Sequence, residues 1–166
     1  MSSGRISTRP GQRGDPATEA LGRSRGGFST KLHLRTEGGG KPLVVVLSPG
    51  QHHESRFVPA LLERGAVKRL GPGRPRLRPR RVAGDKGFSY RRVRAYLRRR
   101  GIGALIPTRS DQRRLPHFDP QAYRGRNVVE RTINRLKQFR RVATRDEKRA
   151  VNYLAVLTIA SILLWL

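Results

Sequence analysis

Between Lys31 and Ser48 the chain reads KLHLRTEGGGKPLVVVLS, and few architectures accept such a stretch. KLHLRTE alternates apolar and polar residues, the period of a strand with two unlike faces. EGGGK then supplies turn chemistry, and PLVVVLS is an apolar, β-branched run. Two strand signals joined by a glycine-rich connection predict a β-hairpin over residues 31–48.

Beyond the hairpin the elements alternate in type. A loop, PGQHHES, leads into RFVPALLER (Arg56–Arg64), a short helix started by the Ser55 cap. Gly71–Arg81 (GPGRPRLRPRR) is a linker whose prolines forbid a helix. RVAG is a short buried strand ending at Asp85, and Ser89–Arg100 is a helix with Val93, Tyr96 and Leu97 on its apolar face. Ile102–Ile106 is another strand, closed by Pro107, and residues 108–120 form a loop. A long helix is predicted from about Gln121 to Val142, and a last one from about Asp146 onward. A hairpin followed by alternating helices and strands fits an α/β sheet with helices on its faces. Residues 1–28, rich in Gly, Ser, Arg and Pro without apolar period, are expected to be a basic, mostly disordered arm. Residues 29–166 form the domain.

Charge narrows the partner. Lys and Arg number 37 against 11 Asp and Glu, a formal charge of +26 in 166 residues. The natural counterpart of such an excess is a polyanion, and nucleic acid fits because each neutralised phosphate releases counterions. There is no Cys, so disulfides and thiolate metal sites are excluded. The N-terminus lacks the apolar core of a signal peptide. The apolar tail Tyr153–Leu166 is short of the roughly 20 residues that span a bilayer and is expected to be a buried terminal helix. A cytoplasmic protein with no membrane partner is expected.

Two features could carry chemistry. Asp85 ends a strand, where ligand sites gather in open α/β sheets, and Gly87 permits a tight turn after it. Taken alone, such a carboxylate is structural or merely exposed as often as catalytic. In YRGRNVVERTINRLK, Arg126, Glu130 and Lys137 lie within about 60° of Tyr123 around a helix, while Val129, Ile133 and Leu136 form a separate apolar stripe. A solvated helix with ordinary i, i+4 pairs would look the same. His52, His53 and Glu54 sit in the loop after the hairpin and are expected at the surface or in a supporting position near that strand end. Arg74–Arg81, Arg98–Arg100, Arg140 and Arg141 are candidates for phosphate contact without base specificity. Trp165 is expected in core packing.

Together the two features resemble something specific. Tyr123, Arg126, Glu130 and Lys137 meet in full the Tyr-x2-Arg-x3-Glu-x6-Lys signature of a group of bacterial insertion-sequence transposases with an RNase H-like fold. Four blocks, at 22–34, 42–55, 82–101 and 126–155, resemble the IS-five type DDE transposases in the right order. The resemblance implies an α/β fold with an RNase H-like mixed sheet, flanking helices, and DNA as partner. It implies three carboxylates that hold two divalent ions, usually Mg²⁺, with Asp85 the second acid and Glu130 the third, both as catalytic and as metal-binding residues. Tyr123, Arg126 and Lys137, with Arg140 and Arg141, would contact DNA phosphates.

The first acid of that family is expected on a central strand upstream of GRSRGG, where only Asp15 and Glu19 stand, and Asp15 follows no strand signal. The chain is therefore expected to lack its first central strand, leaving exposed edges on the hairpin and on the strand at 81–84. Its expected role is the C-terminal part of a DDE transposase, inactive alone. The product of an upstream reading frame, or an intact transposase, would complete it, and the complete protein would be a homo-oligomer. The alternative is a non-enzymatic basic DNA-binding remnant.

Overall fold

In the computed structural model, residues 1–7, 19–24, 27–67, 71–113 and 118–166 are described. The hairpin is its centre. Strand β3 (Gly27–Thr36) pairs antiparallel with β4 (Pro42–Pro49), with Leu32 opposite Leu47 and Leu34 opposite Val45. Gly40, at φ 102°, makes the turn in a conformation that a side chain would strain.

The continuous apolar run of β4 has a direct structural cause, since both its faces are covered. Val45 and Leu47 join Leu32, Leu34, Val129, Ile133, Leu136, Tyr153 and Leu157 in one core. Val44 and Val46 face the other, with Val58, Leu61, Leu62, Val82, Phe88, Val93 and Leu97. The polar face of β3 is therefore buried as well. Lys31, His33 and Arg35 are 5%, 0% and 6% exposed, and each has a partner. Arg35 donates to the carbonyls of Leu61 and Gly65 at the end of helix α1 (Val58–Glu63), where the helix dipole favours a cation. His33 Nε2 meets Ser48 Oγ at 2.8 Å while its ring stacks on Phe57.

The edge of β3 expected to face a gap is paired. Ser2–Ser7 form strand β1, which pairs antiparallel with β3 over six residues, from Ser2 opposite Leu34 to Ser7 opposite Ser29. Gly22–Ser24 form a short β2 on the same β3. The basic arm is thus ordered in both places, and its residues 8–18, 25 and 26, Asp15 among them, lie outside the described residues. SSGRIS carries one apolar side chain, Ile6, and no period. Its strand is imposed by a preformed neighbour and by burial of Ile6 against the α-helical core, the case in which context overrides propensity.

Strands β5 (Arg81–Ala83) and β6 (Gly103–Leu105) pair in parallel, and helix α2 (Arg91–Arg99) connects them. The α-amino group of Met1 donates to the carbonyl of Ala83, so β1 meets the end of β5. The long helix expected at 121–142 is three: α3 (Pro120–Arg124), α4 (Asn127–Lys137) and α5 (Arg140–Ala143). Gly125 closes the first, and Phe139, in an extended conformation, separates the second from the third. Helix α6 (Ala150–Leu163) buries Tyr153, Leu157 and Ala160 on one face and leaves Ile159, Ile162 and Leu163 half exposed. It is a docked rather than an enclosed helix. Trp165 lies at its end at 42% exposure, donating its indole N–H to the Pro42 carbonyl.

A candidate active site where three strands meet α4

Asp85 stands two residues beyond β5 and begins a tight turn, its Oδ1 accepting from the Gly87 N–H at 2.8 Å. Gly87 has little alternative here. A Cβ on it would lie 2.9 Å from Asp85 Oδ1 and 3.6 Å from Glu54 Oε2. Two carboxylates therefore flank one glycine. Burial raises the Asp85 carboxyl above its ordinary range, and the negative charge of Glu54 adds to this. The Gly87 hydrogen bond, Arg126 and the Met1 amino group pull the other way without prevailing.

Glu54 is the residue that the sequence undervalued. It begins the turn after β4, accepts from Lys31 Nζ at 2.8 Å, and receives the Ser3 hydroxyl at 3.2 Å. Burial opposes its ionisation, but the Lys31 hydrogen bond and charge hold it below the usual carboxylate range. The visible signal was the position of HHES right after a buried strand. His53 acts locally. Its Nδ1 caps the turn at Ser55, and its Nε2 meets the Tyr90 hydroxyl at 2.8 Å.

On the opposite bank, Arg126 precedes α4 and donates to Glu130 Oε1 at 2.6 Å. Its guanidinium stacks over the Tyr123 ring, 5.4 Å from the centroid. Burial opposes its charge, yet the Glu130 hydrogen bond and the charges of Glu130 and Asp85 outweigh that and raise its pKa. Arg126 is bonded to Glu130, and the charge of Asp85 adds to the same upward shift. Its Nη1 is buried and has no hydrogen-bond partner among the described residues.

The Met1 amino group completes the arrangement. Burial first, then the charge of Arg126, lowers its pKa from 8.0 to about 5. Arg126 thus joins Tyr123 and Glu130, while Asp85 and Glu54 flank Gly87 and Ser3 reaches Glu54. Lys137 lies on the Glu130 face of α4, roughly 10 Å further along by the helical rise. Arg140 and Arg141 are exposed on α5, the latter 3.8 Å from Glu147. Among the described residues no group of three or more His, Cys, Asp or Glu could hold a metal ion.

The domain is thus mixed α/β, with Asp85 just past a strand end and Glu130 on the helix that Arg126 precedes. The chain matches the model of the family described as "Transposase DDE domain" over residues 6–165. It is also 34% identical over 137 residues to the "Putative transposase for insertion sequence element IS402" of Burkholderia cepacia. That alignment covers 82% of this chain and 63% of the relative, so the chain spans less than two thirds of that protein. The "Putative transposase for insertion sequence element IS6501" of Brucella ovis is 28% identical over 143 residues, 84% of this chain and 99% of the relative. No solved structure matches the chain. The chain belongs to the DDE-type insertion-sequence transposases. No helix among the described residues is long and apolar enough to cross a membrane.

Proposed function

We propose that the chain serves DNA transposition as the catalytic portion of a DDE transposase of RNase H-like fold, and that by itself it binds DNA without cutting it. The observation that carries this is the Arg126–Glu130 pair, 2.6 Å apart on the signature helix, together with Asp85 just beyond the end of β5. The strand neighbours favour the RNase H-like reading. They run β4, β3, β1, and β1 then meets β5 of the parallel pair through Met1 and Ala83.

In this reading β1 is the central strand, and residue 1 stands where the family carries its first acid. Side chains alternate along a strand, so residue 1 points to the same side as Ser3, which touches Glu54. Met there offers no oxygen ligand. Mg²⁺ demands near-octahedral oxygen coordination, and Asp85 and Glu130, the latter held by the Arg126 guanidinium, do not fit a two-ion centre. The residues present can still hold a phosphodiester. Arg126 offers an unpartnered buried donor, Tyr123 stacks against it, and Lys137, Arg140 and Arg141 continue a cationic path along α4 and α5.

The test is a chain with Asp at position 1, placed behind a short N-terminal extension and compared with its Met1 counterpart. Met1 protein should shift element-end DNA in a salt-sensitive manner and leave it uncut in Mg²⁺. The Asp-bearing chain should nick it, and Glu130→Ala should abolish the nicking. Nicking that survives Glu130→Ala removes Glu130 from the site. The second reading, a non-enzymatic DNA-binding remnant, rests on the formal charge of +26 and the missing first acid, and it predicts that neither chain cuts.

A further inference from the structure

A second cavity, of about 320 Å³, lies between α1 and α2, and no residue of α4 lines it. Its size is that of a small-ligand site, roughly 300–1,000 Å³. The floor is apolar. Val58 of α1 and Val93 of α2 form it, with Pro59 and Tyr96 beside them. Val58 and Val93 also belong to the core around Phe88, so packing fixes the shape of the recess.

The rim has the opposite chemistry. Arg56, Arg92 and Arg99 line it, and all three are exposed. Among the described residues no carboxylate pairs with any of them. Glu63, at the end of α1, is taken instead by Arg100 at 2.7 Å and by the Tyr96 hydroxyl at 2.9 Å. Three like charges around one opening repel one another, and an anion relieves them. Arg92 is held in place. It donates to Ser55 Oγ, which also meets His53 Nδ1 at 3.1 Å, and it lies 5.8 Å from the Tyr90 ring centroid. Ser55 follows Glu54, so this pocket and the turn facing Asp85 share one short segment of chain.

A bare phosphate asks only for charge, and a duplex shows its phosphates outward while its bases stay stacked inside. A recess with an apolar floor and guanidiniums at its mouth suits a ligand with a flat apolar face and an anionic group. We infer that this pocket receives one unpaired nucleotide of the DNA, its base against the apolar floor and Tyr96, its phosphate on the arginine rim. Bases of any sequence stack on aromatic side chains, and an Arg fork binds phosphate through two parallel donors. The inference rests on the reading that the chain binds DNA and is independent of whether it cuts.

The experiment uses the full chain and two DNAs, a blunt duplex and the same duplex with four unpaired nucleotides at one 3′ end. The chain should bind the second about tenfold more tightly, the gain expected from one stacked base. Arg92→Gln combined with Arg99→Gln should remove that preference. Arg113→Gln combined with Arg149→Gln takes away the same charge outside the pocket, and it should weaken both DNAs alike while keeping the preference. Methyl signals of Val58 and Val93 should move with the overhanging DNA and stay in place with the blunt one. Equal affinity for the two DNAs overturns the pocket and leaves DNA binding standing, whereas binding to neither removes both. Loss of the preference in both double variants would make it an effect of net charge. Methyl shifts saturated by free dTMP, without any preference between the DNAs, would make this a site for free nucleotides. Either result overturns the inference.

Discussion

Two arginines lie by different ends of β3, Arg145 at Thr30 and Arg126 beside a cavity that Arg35 and Thr36 line, and they are built differently. Arg145, just before α6, is wholly buried, and each of its three nitrogens has a partner. It donates to the Thr30 hydroxyl on β3, to the carbonyls of Glu19, Glu147 and Lys148, and lies over the Tyr153 ring. Arg126 is also largely buried, yet one of its terminal nitrogens has no partner among the described residues and its ion pair is with the half-exposed Glu130. A satisfied buried cation fixes a fold. A partly satisfied one beside carboxylates holds capacity in reserve, which is what a ligand site requires.

The largest expected effect belongs to Arg145. Arg145→Leu would leave three carbonyls and the Thr30 hydroxyl short of partners in a dry region, at about 1–3 kcal/mol for a buried group left unsatisfied. With partial compensation by water, a loss of about 3 kcal/mol in denaturant unfolding is expected, and Arg145→Lys should recover part of it. A loss below about 1 kcal/mol would mean that Arg145 is no more structural than Arg126.

How much of this is legible in the sequence differs by region. The hairpin, α1, α2 and the β5 and β6 strands are legible because their periods and turn residues agree with their surroundings. So is the meeting of Tyr123, Arg126 and Glu130, although the helix that carries them is broken at Gly125. β1 is not legible, since SSGRIS has no strand signature and owes its conformation to β3. Arg145 is not legible either, because its partners are backbone atoms distant in sequence. Residue 1 and Ser3 reach this region only because β1 is in place, so missing the strand meant missing them.

The Met1 amino group extends the contrast to pH. The Met1 amino group is lowered from 8.0 to about 5, so the folded form resists its protonation. A depressed folded pKa contributes stability that is complete above the unfolded value and is lost as pH falls toward the folded one. Between pH 8 and 5 the unfolded chain holds about one more proton, which costs about 1 kcal/mol for each pH unit. His33, driven down to about 4 by burial, adds a loss of the same sign between 6.5 and 4. Urea midpoints measured from pH 8 to 4 should fall throughout, and N-terminal acetylation should erase the part above pH 6.5. Midpoints that are flat above pH 6.5 would contradict the burial of the amino group.

Arg126→Gln should have the smallest effect on stability and the most informative one on function. Its ion pair with Glu130 is an i, i+4 contact in which the Glu130 side chain is 46% exposed, and such pairs contribute about 0–1 kcal/mol. Gln also removes the unpartnered Nη1 and relieves its desolvation, which offsets part of the loss, so unfolding should shift by less than about 1 kcal/mol. DNA binding should respond on a separate axis. If Arg126 meets a phosphate, the dependence of log K on log salt should flatten by about 0.9, the slope carried by one contact on duplex DNA. Arg145→Lys, which keeps the charge but lies far from the site, should leave that slope unchanged. An Arg126→Gln variant that binds with the parental slope yet unfolds as readily as Arg145→Leu would invert the comparison, making Arg126 a structural residue and removing it from the DNA interface.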